Sequence, residues 1–227
     1  MTTTYSKEQI EKLLESERFL YHRVELPYGL HTPGQDRSAT RDLVLPSTLS
    51  GKSVLDIGCA LGYFCFEAEK RGATQVVGVE LNERRHRQAM LLKEALSSQV
   101  EFRRADILSD GVSEQFDCVL LLNVIHHLSE PMRALRQVAA LTRERLVLEF
   151  PTFHDEKFRR NVGVWFPWLY NRLPLIGVSS LEKDTDQTFV FTPTAIRRVL
   201  QDHAQLFREV KFVRSPMAGR QIAICTK

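Results

Sequence analysis

Short apolar runs of strand length recur along the chain at Ser53 to Ile57, Gln75 to Glu80, Val100 to Arg104, Phe116 to Leu122 and Arg145 to Phe150. Between them lie longer stretches whose apolar positions keep helical spacing: Leu61 to Arg71, Glu83 to Ser97 and Pro131 to Leu141. Strand-length apolar runs alternating with such helices predict βαβ units in a parallel sheet, whose strands are buried on both faces and so lose the polar alternation. Pro131 suits a first helical position, where its missing N–H would have no partner anyway. Upstream, Lys7 to Tyr21 reads as a helix through Ile10, Leu13, Leu14 and Phe19, and His22 to Pro27 as extended chain. Tyr28 to Arg37, rich in turn formers, reads equally as a loop over a ligand mouth and as a plain surface connection. Thr40 to Leu49 is a helix interrupted near Pro46. Downstream, Thr192 as N-cap and Pro193 as first residue open a helix reaching about Ala204. Two strands, near Arg208 to Val213 and Gln221 to Thr226, then follow with no helix between them.

The chemistry gathers around Val54 to Phe64, a buried strand, a glycine turn and the start of a helix. Gly58 ends the strand, and Gly62 lets the following helix lie close to it. A nicotinamide dinucleotide fingerprint needs a glycine two residues after the first, to clear space for a pyrophosphate. Here Ala60 stands at that place, which suits a nucleoside without phosphates. Glu80 closes the second strand, where an acid can accept hydrogen bonds from both hydroxyls of a ribose. Asp106 follows the third strand and suits an exocyclic adenine amine, with Leu81 and Ile107 placed to sandwich the ring. The fourth strand ends at Asn123, so acid or amide positions fall at four consecutive strand ends.

This ordered set, over roughly residues 50 to 150, resembles the class I S-adenosylmethionine-dependent methyltransferases. The resemblance implies an α/β fold: a Rossmann-like seven-stranded sheet with helices on both faces and the last strand antiparallel. It implies S-adenosyl-L-methionine as cofactor, with Asp56 holding the methionine amino group, Glu80 the ribose and Asp106 the adenine. The cofactor-binding set is then Asp56, Gly58, Ala60, Gly62, Glu80, Leu81, Asp106, Ile107 and Asn123. Ala60 is a departure, since the family often has glycine there. The flanks carry a narrower likeness. Tyr21 to Pro27, Thr32 to Gly34, Arg41 to Pro46 and Asn123 to Pro131 are similar to the group containing the tRNA wobble-uridine 5-oxyacetate carboxymethyltransferase. That enzyme uses carboxy-S-adenosylmethionine and has a longer N-terminal part. Arg220 matches an arginine that it uses, whereas His126 replaces its tyrosine. A protonated His126 would substitute for the lost hydrogen bond.

Composition narrows the classes. A chain of 227 residues with 43% hydrophobic and 26% charged content is expected as one soluble globular domain. Its expected parts are an N-terminal cap (1–50), a cofactor-binding core (51–151), an insertion (152–191) and a C-terminal helix and hairpin (192–227). The net charge of +3 neither demands nor excludes a nucleic-acid partner. Four scattered cysteines without a C-x-x-C pair read as reduced core residues, and no metal site is expected. Met1 to Glu17 lacks a secretory apolar core, which points to the cytoplasm. The most apolar stretch, Val162 to Val178, carries or adjoins Asn161, Pro167, Asn171, Arg172 and Pro174 and is unsuited to membrane insertion. From Thr152 to Val190 the insertion holds seven aromatic residues, Phe153, Phe158, Trp165, Phe166, Trp168, Tyr170 and Phe189. It reads as a substrate lid, with a homodimer interface and a membrane-surface contact as alternatives.

Methyl transfer from a sulfonium needs alignment of donor and acceptor and, for some acceptors, removal of a proton. Asn123 to Leu128 places two histidines at the carboxyl edge of the sheet. His127 is the first candidate base or orienting group and His126 the second, with Glu149, His154 and Asp155 in reserve; either histidine reads equally as a cofactor contact or turn cap. The function expected is methylation of oxygen or nitrogen on a small-molecule acceptor. The alternative is a tRNA wobble-uridine methyl- or carboxymethyltransferase. A nicotinamide oxidoreductase and an inactive binding domain are the remaining classes.

Overall fold

The computed structural model describes residues 4–109, 112–156, 167–170, 172–178 and 189–227. The chain divides into two compact units, Met1–Gly111 and Val112–Lys227. The main sheet is mixed and seven-stranded; three strands belong to the first unit and four to the second.

In the first unit, helix α1 (Lys7–Ser16) opens with a capping box in which Ser6 and Gln9 satisfy each other's backbone N–H. Helix α2 (Ser38–Val44) stops short of Pro46, an earlier end than the sequence suggests, because the residue before a proline is pushed out of helical angles. Strands β1 (Ser53–Ile57), β2 (Gln75–Val79) and β3 (Glu101–Arg103) are parallel and ordered β3-β2-β1. All five residues of β1 are buried, as expected for a strand covered on both faces. Helix α3 (Tyr63–Lys70) packs on β1 and β2, and α4 (Glu83–Leu96), N-capped by Asn82, packs on β3.

The second unit orders its strands β4-β5-β9-β8. β4 (Phe116–Leu122) and β5 (Thr142–Pro151) are parallel, joined through a 3-10 turn at Ile125–His127 and helix α5 (Pro131–Leu141). β9 (Arg220–Thr226) runs antiparallel to β5, and β8 (Glu209–Arg214) antiparallel to β9, so the chain closes on the expected hairpin. A two-stranded sheet pairs β6 (Ile176–Val178) with β7 (Phe189–Phe191), and a short helix α6 spans Pro167–Tyr170. Phe153 stacks on Tyr170 at 5.5 Å and 10°, and with Val190 and Leu175 makes a small satellite core. The described part of the aromatic insertion thus has packing of its own, while Phe158, Trp165 and Phe166 lie outside the described residues. The last helix is shorter than its pattern suggests. α7 (Pro193–Arg197), capped by Thr192 as expected, passes into a π-helical turn at Arg198–His203.

Gly62 serves packing more than the strand-to-helix contact expected of it. Its φ is +80°, and a Cβ there would lie 2.5 Å from Cζ of Phe102 on β3. Phe102 in turn meets Phe66 edge-on at 5.7 Å. Gly62→Ala is expected to destabilise the protein by about 1–3 kcal/mol, through left-handed strain and overpacking. Urea unfolding checks it; a loss below about 0.5 kcal/mol would mean that Phe102 shifts freely.

Candidate functional site

In the first unit the turn after β1 is built from left-handed backbone: Gly58, Ala60 and Gly62 have φ of +72°, +50° and +80°. Two of these are glycines, for which such angles cost little, but Ala60 is held there by a specific partner. Its N–H donates to Oε2 of Glu80 at 2.9 Å, while Oε1 of the same carboxylate accepts from Asn82 N–H at 2.9 Å. The N–H groups of Gly58 and Cys59 both donate to the carbonyl of Val79, at 2.7 and 3.0 Å. The turn is therefore tied to the end of β2 at three backbone donors, and Glu80 is fixed by what it ties. Gly78 shares the crowding: a Cβ there would lie 2.7 Å from Phe102 and 2.9 Å from Cys59 Sγ. A glycine inside a strand signals such close approach, a cue not used in the sequence reading.

Asp56 is buried on β1, and its pKa is pushed up to about 7 by burial above all. The Cys65 thiol, 3.5 Å from Oδ2, offsets this, Glu80 adds to it, and Arg37 opposes it. A buried carboxylate in this condition fits a cation brought by a ligand. Asp106 is half-buried and its Oδ1 accepts Leu108 N–H at 2.9 Å, whereas Leu81 is 60% exposed beside Glu80 and Ile107 is buried.

The Tyr21 to Gln35 segment is stapled to itself. Thr32 Oγ1 donates to the His22 carbonyl and accepts from Val24 N–H, and Gly34 lies so close that a Cβ would sit 2.8 Å from the His22 backbone. The His22 ring contacts Tyr63 and Phe64 edge-on, and burial lowers its pKa to about 3, so it is neutral. The run Arg84 to Arg87 holds the start of this segment and the chain just before it. Arg84 donates to the Arg18 carbonyl, Arg85 stacks 4.6 Å over Tyr21, and Arg87 pairs with Glu17 at 2.6 Å.

In the second unit, β4 ends at Asn123, which takes φ of +58°. Its Nδ2 donates to Glu149 on β5, its backbone N–H donates to the Glu149 carbonyl at 2.8 Å, and its Oδ1 accepts from Arg220 Nη1 at 2.9 Å. Glu149 is fully buried and also accepts from the Ser215 hydroxyl. Arg220 reaches His126 Nε2 at 3.1 Å and lies 3.6 Å from Asp155 Oδ2. A guanidinium only donates, so His126 Nε2 must accept, and a doubly protonated His126 is incompatible with that bond. The contact as placed therefore does not suit the protonated His126 that would substitute for the tyrosine's hydrogen bond. His126 is 1% exposed, and His127 is exposed with its ring centroid 4.0 Å from that of His126. Glu149, a reserve base in the sequence reading, is instead the anchor of Asn123. Ser215 and Cys65 were not singled out in the sequence, where nothing marks their neighbours.

Residues 34–203 match the family model described as "Methyltransferase domain". The chain belongs to the methyltransferase domain family. The methyltransferase domain is 29% identical over 199 residues to tRNA U34 carboxymethyltransferase of Mannheimia succiniciproducens, covering 74% of this chain and 61% of that relative. It is 36% identical over 92 residues to ubiquinone biosynthesis O-methyltransferase of Pseudomonas putida, covering 40% and 39%. The chain thus spans less than two thirds of these relatives. In fold it resembles the N-terminal domain of EvdMO1, crystallised in the presence of S-adenosylhomocysteine (SAH) and D-fucose. That match has a TM-score of 0.70 and 15% identity, over 98% of this chain and 97% of the other. Among the described residues no helix is long and apolar enough to cross a membrane.

The raised Asp56 pKa has a stability consequence. The folded value, about 7, lies above the usual 3.8, so the native state of this methyltransferase domain binds the proton more tightly than the unfolded chain. The stabilising contribution is full below about pH 4 and is lost as pH rises through about 7. Relative to wild type, Asp56→Asn is expected to gain stability steadily as pH rises from about 5 to 7 and to level off by about pH 8, once the native acid is ionised too. Chemical denaturation across that range checks the trend; a constant difference between the two proteins would contradict it.

Proposed function

We propose that the protein is an S-adenosylmethionine-dependent methyltransferase acting on a small-molecule acceptor. The observation that carries this reading is the pair of buried carboxylates, Asp56 and Glu80, on neighbouring parallel strand ends, with the left-handed Gly58 to Gly62 turn tied between them. Asp56 suits the ammonium of the methionine moiety, because a bound cation relieves its unfavourable burial. Glu80, already oriented by Ala60 and Asn82, presents its remaining lone pairs to the ribose hydroxyls. Asp106 and the exposed Leu81 suit the adenine. S-adenosylmethionine supplies, when bound, an electrophilic methyl group on a sulfonium. His127, an exposed imidazole, serves as base or orienting group for an oxygen or nitrogen acceptor. Asn123 has a structural part within the second unit, since Glu149 and Arg220 hold its amide. The described aromatic insertion, with Phe153 and Tyr170 stacked, acts in this reading as an apolar wall for the acceptor.

Two observations favour a small acceptor over tRNA. Arg23, Arg41, Arg71, Arg103, Arg104 and Arg143 each pair with a carboxylate, which leaves those cations with local counter-charges. Tight tRNA binding needs a broad basic surface that releases counterions. The neighbour of matching length, the EvdMO1 domain, was crystallised with a sugar. The second reading, a tRNA-modifying carboxymethyltransferase, is favoured by the relatives' names and by Arg220 beside His126. Against a carboxylated donor stands the Arg220–Asp155 pair, which already supplies that guanidinium with an anion.

Calorimetry tests the reading. SAH is expected to bind at micromolar strength or better, and Glu80→Ala to weaken it by about tenfold or more, the scale of a lost charge-assisted hydrogen bond. Binding of NADH with none of SAH would overturn it. Carboxy-S-adenosylmethionine binding at least tenfold tighter than the ordinary donor, or bulk tRNA binding that weakens steeply with salt, would establish the second reading.

A further inference from the structure

We infer that Arg220 is a positioning residue that fixes His126 as a neutral ring, protonated at Nδ1, against which His127 rests. The inference depends on the role of His127 proposed above, but its evidence is separate. One nitrogen of Arg220, Nη1, spends its two N–H groups on Asn123 Oδ1 at 2.9 Å and His126 Nε2 at 3.1 Å. The first contact is itself braced: Glu149 holds the other end of the Asn123 amide, and the Ser215 hydroxyl holds Glu149. Asp155 Oδ2, 3.6 Å from Arg220 Nε, supplies the counter-charge, with only 8% of its side chain exposed. Arg220 therefore has little freedom to turn away from His126.

The consequence for the histidine pair is chemical. Among the described residues, Arg220 from β9 bonds His126, Asp155 after β5 and Glu149 on β5 hold Arg220 and Asn123 in turn, and His127 is the adjacent titratable ring. With the guanidinium donating to Nε2, a second proton on His126 would place N–H against N–H beside a cation. His126 is thereby held as a neutral ring and is too buried to meet a substrate. Its ring supplies a fixed face for His127, whose centroid lies 4.0 Å away at 40°. Two adjacent histidines so divide the work: one holds position, and the other exchanges protons.

Long-range 1H–15N spectra of the full chain, recorded without donor or acceptor, test this directly. His126 is expected to show an unprotonated Nε2 that does not change between about pH 5 and 8, while His127 titrates across that range. In Arg220→Gln the His126 ring is expected to begin titrating. Turnover should fall about tenfold or more, the low end for a displaced general base, with SAH affinity within twofold. Arg220→Lys, which keeps the charge and one donor, is expected to restore the unprotonated Nε2 in part. A protonated or titrating Nε2 in the wild-type protein would overturn the inference, as would an unchanged His126 spectrum in Arg220→Gln. His127→Gln that leaves turnover unchanged would instead remove the proposed role of His127, and the His126 spectrum would still decide the positioning.

Discussion

The organisation of the first unit depends on one carboxylate. Glu80 stands where β2 ends and binds the amide of Ala60, the one non-glycine residue among the turn's three left-handed positions. Alanine at φ near +50° is disfavoured, and a charged acceptor on its N–H offsets part of that cost. The same carboxylate holds Asn82, and Asn82 caps α4. Strand end, turn and following helix are thereby registered to a single side chain. Because both carboxylate oxygens are anchored, Glu80 has little rotamer entropy left to lose on meeting the ribose diol proposed for it.

The second unit uses buried charge differently. Glu149, Arg220 and Asp155 are ionisable and nearly removed from water, an expensive arrangement unless each is compensated. Each has a partner at short range: Ser215 and Asn123 for Glu149, Asn123 and His126 for Arg220, and Arg220 for Asp155. Gly219 lets the backbone beside Arg220 pass Asp155 closely enough that a Cβ would sit 2.4 Å from its Cα. Such networks add little net stability but fix geometry, which suits a segment carrying two adjacent histidines.

Much of this was legible in the sequence wherever local chemistry decides structure. The β1 run, the Gly58 to Gly62 turn, Pro131 at the start of α5, Thr192 as a cap and the closing hairpin all follow from short-range pattern. Helix ends were less legible: α2 gives way before Pro46, and α7 passes into a π turn at Arg198–His203 that no local signal in the sequence marks. At the candidate site, Asp56 and Glu80 stood out as acids in apolar runs. The hydrogen bond from Ala60 to Glu80 and the Arg220 network join residues 20 and 97 positions apart, Asn123 to Arg220 being the longer. No periodicity reports such pairings. The Arg84 to Arg87 run is a further case: its partners Arg18, Tyr21 and Glu17 lie more than 60 positions upstream, out of reach of any local pattern.

Asp56, as the proposed acceptor of the ligand's ammonium, joins fold to chemistry. Asp56 has a pKa of about 7 in the free protein, so binding of a cation at that carboxylate must displace a proton at lower pH. SAH affinity measured by titration calorimetry should therefore strengthen by roughly tenfold from pH 6 to 8, with proton release seen as buffer-dependent heat at pH 6. In Asp56→Asn both the pH dependence and the proton release should disappear. SAH binding that is tight in wild type, independent of pH and unchanged in Asp56→Asn would contradict the account.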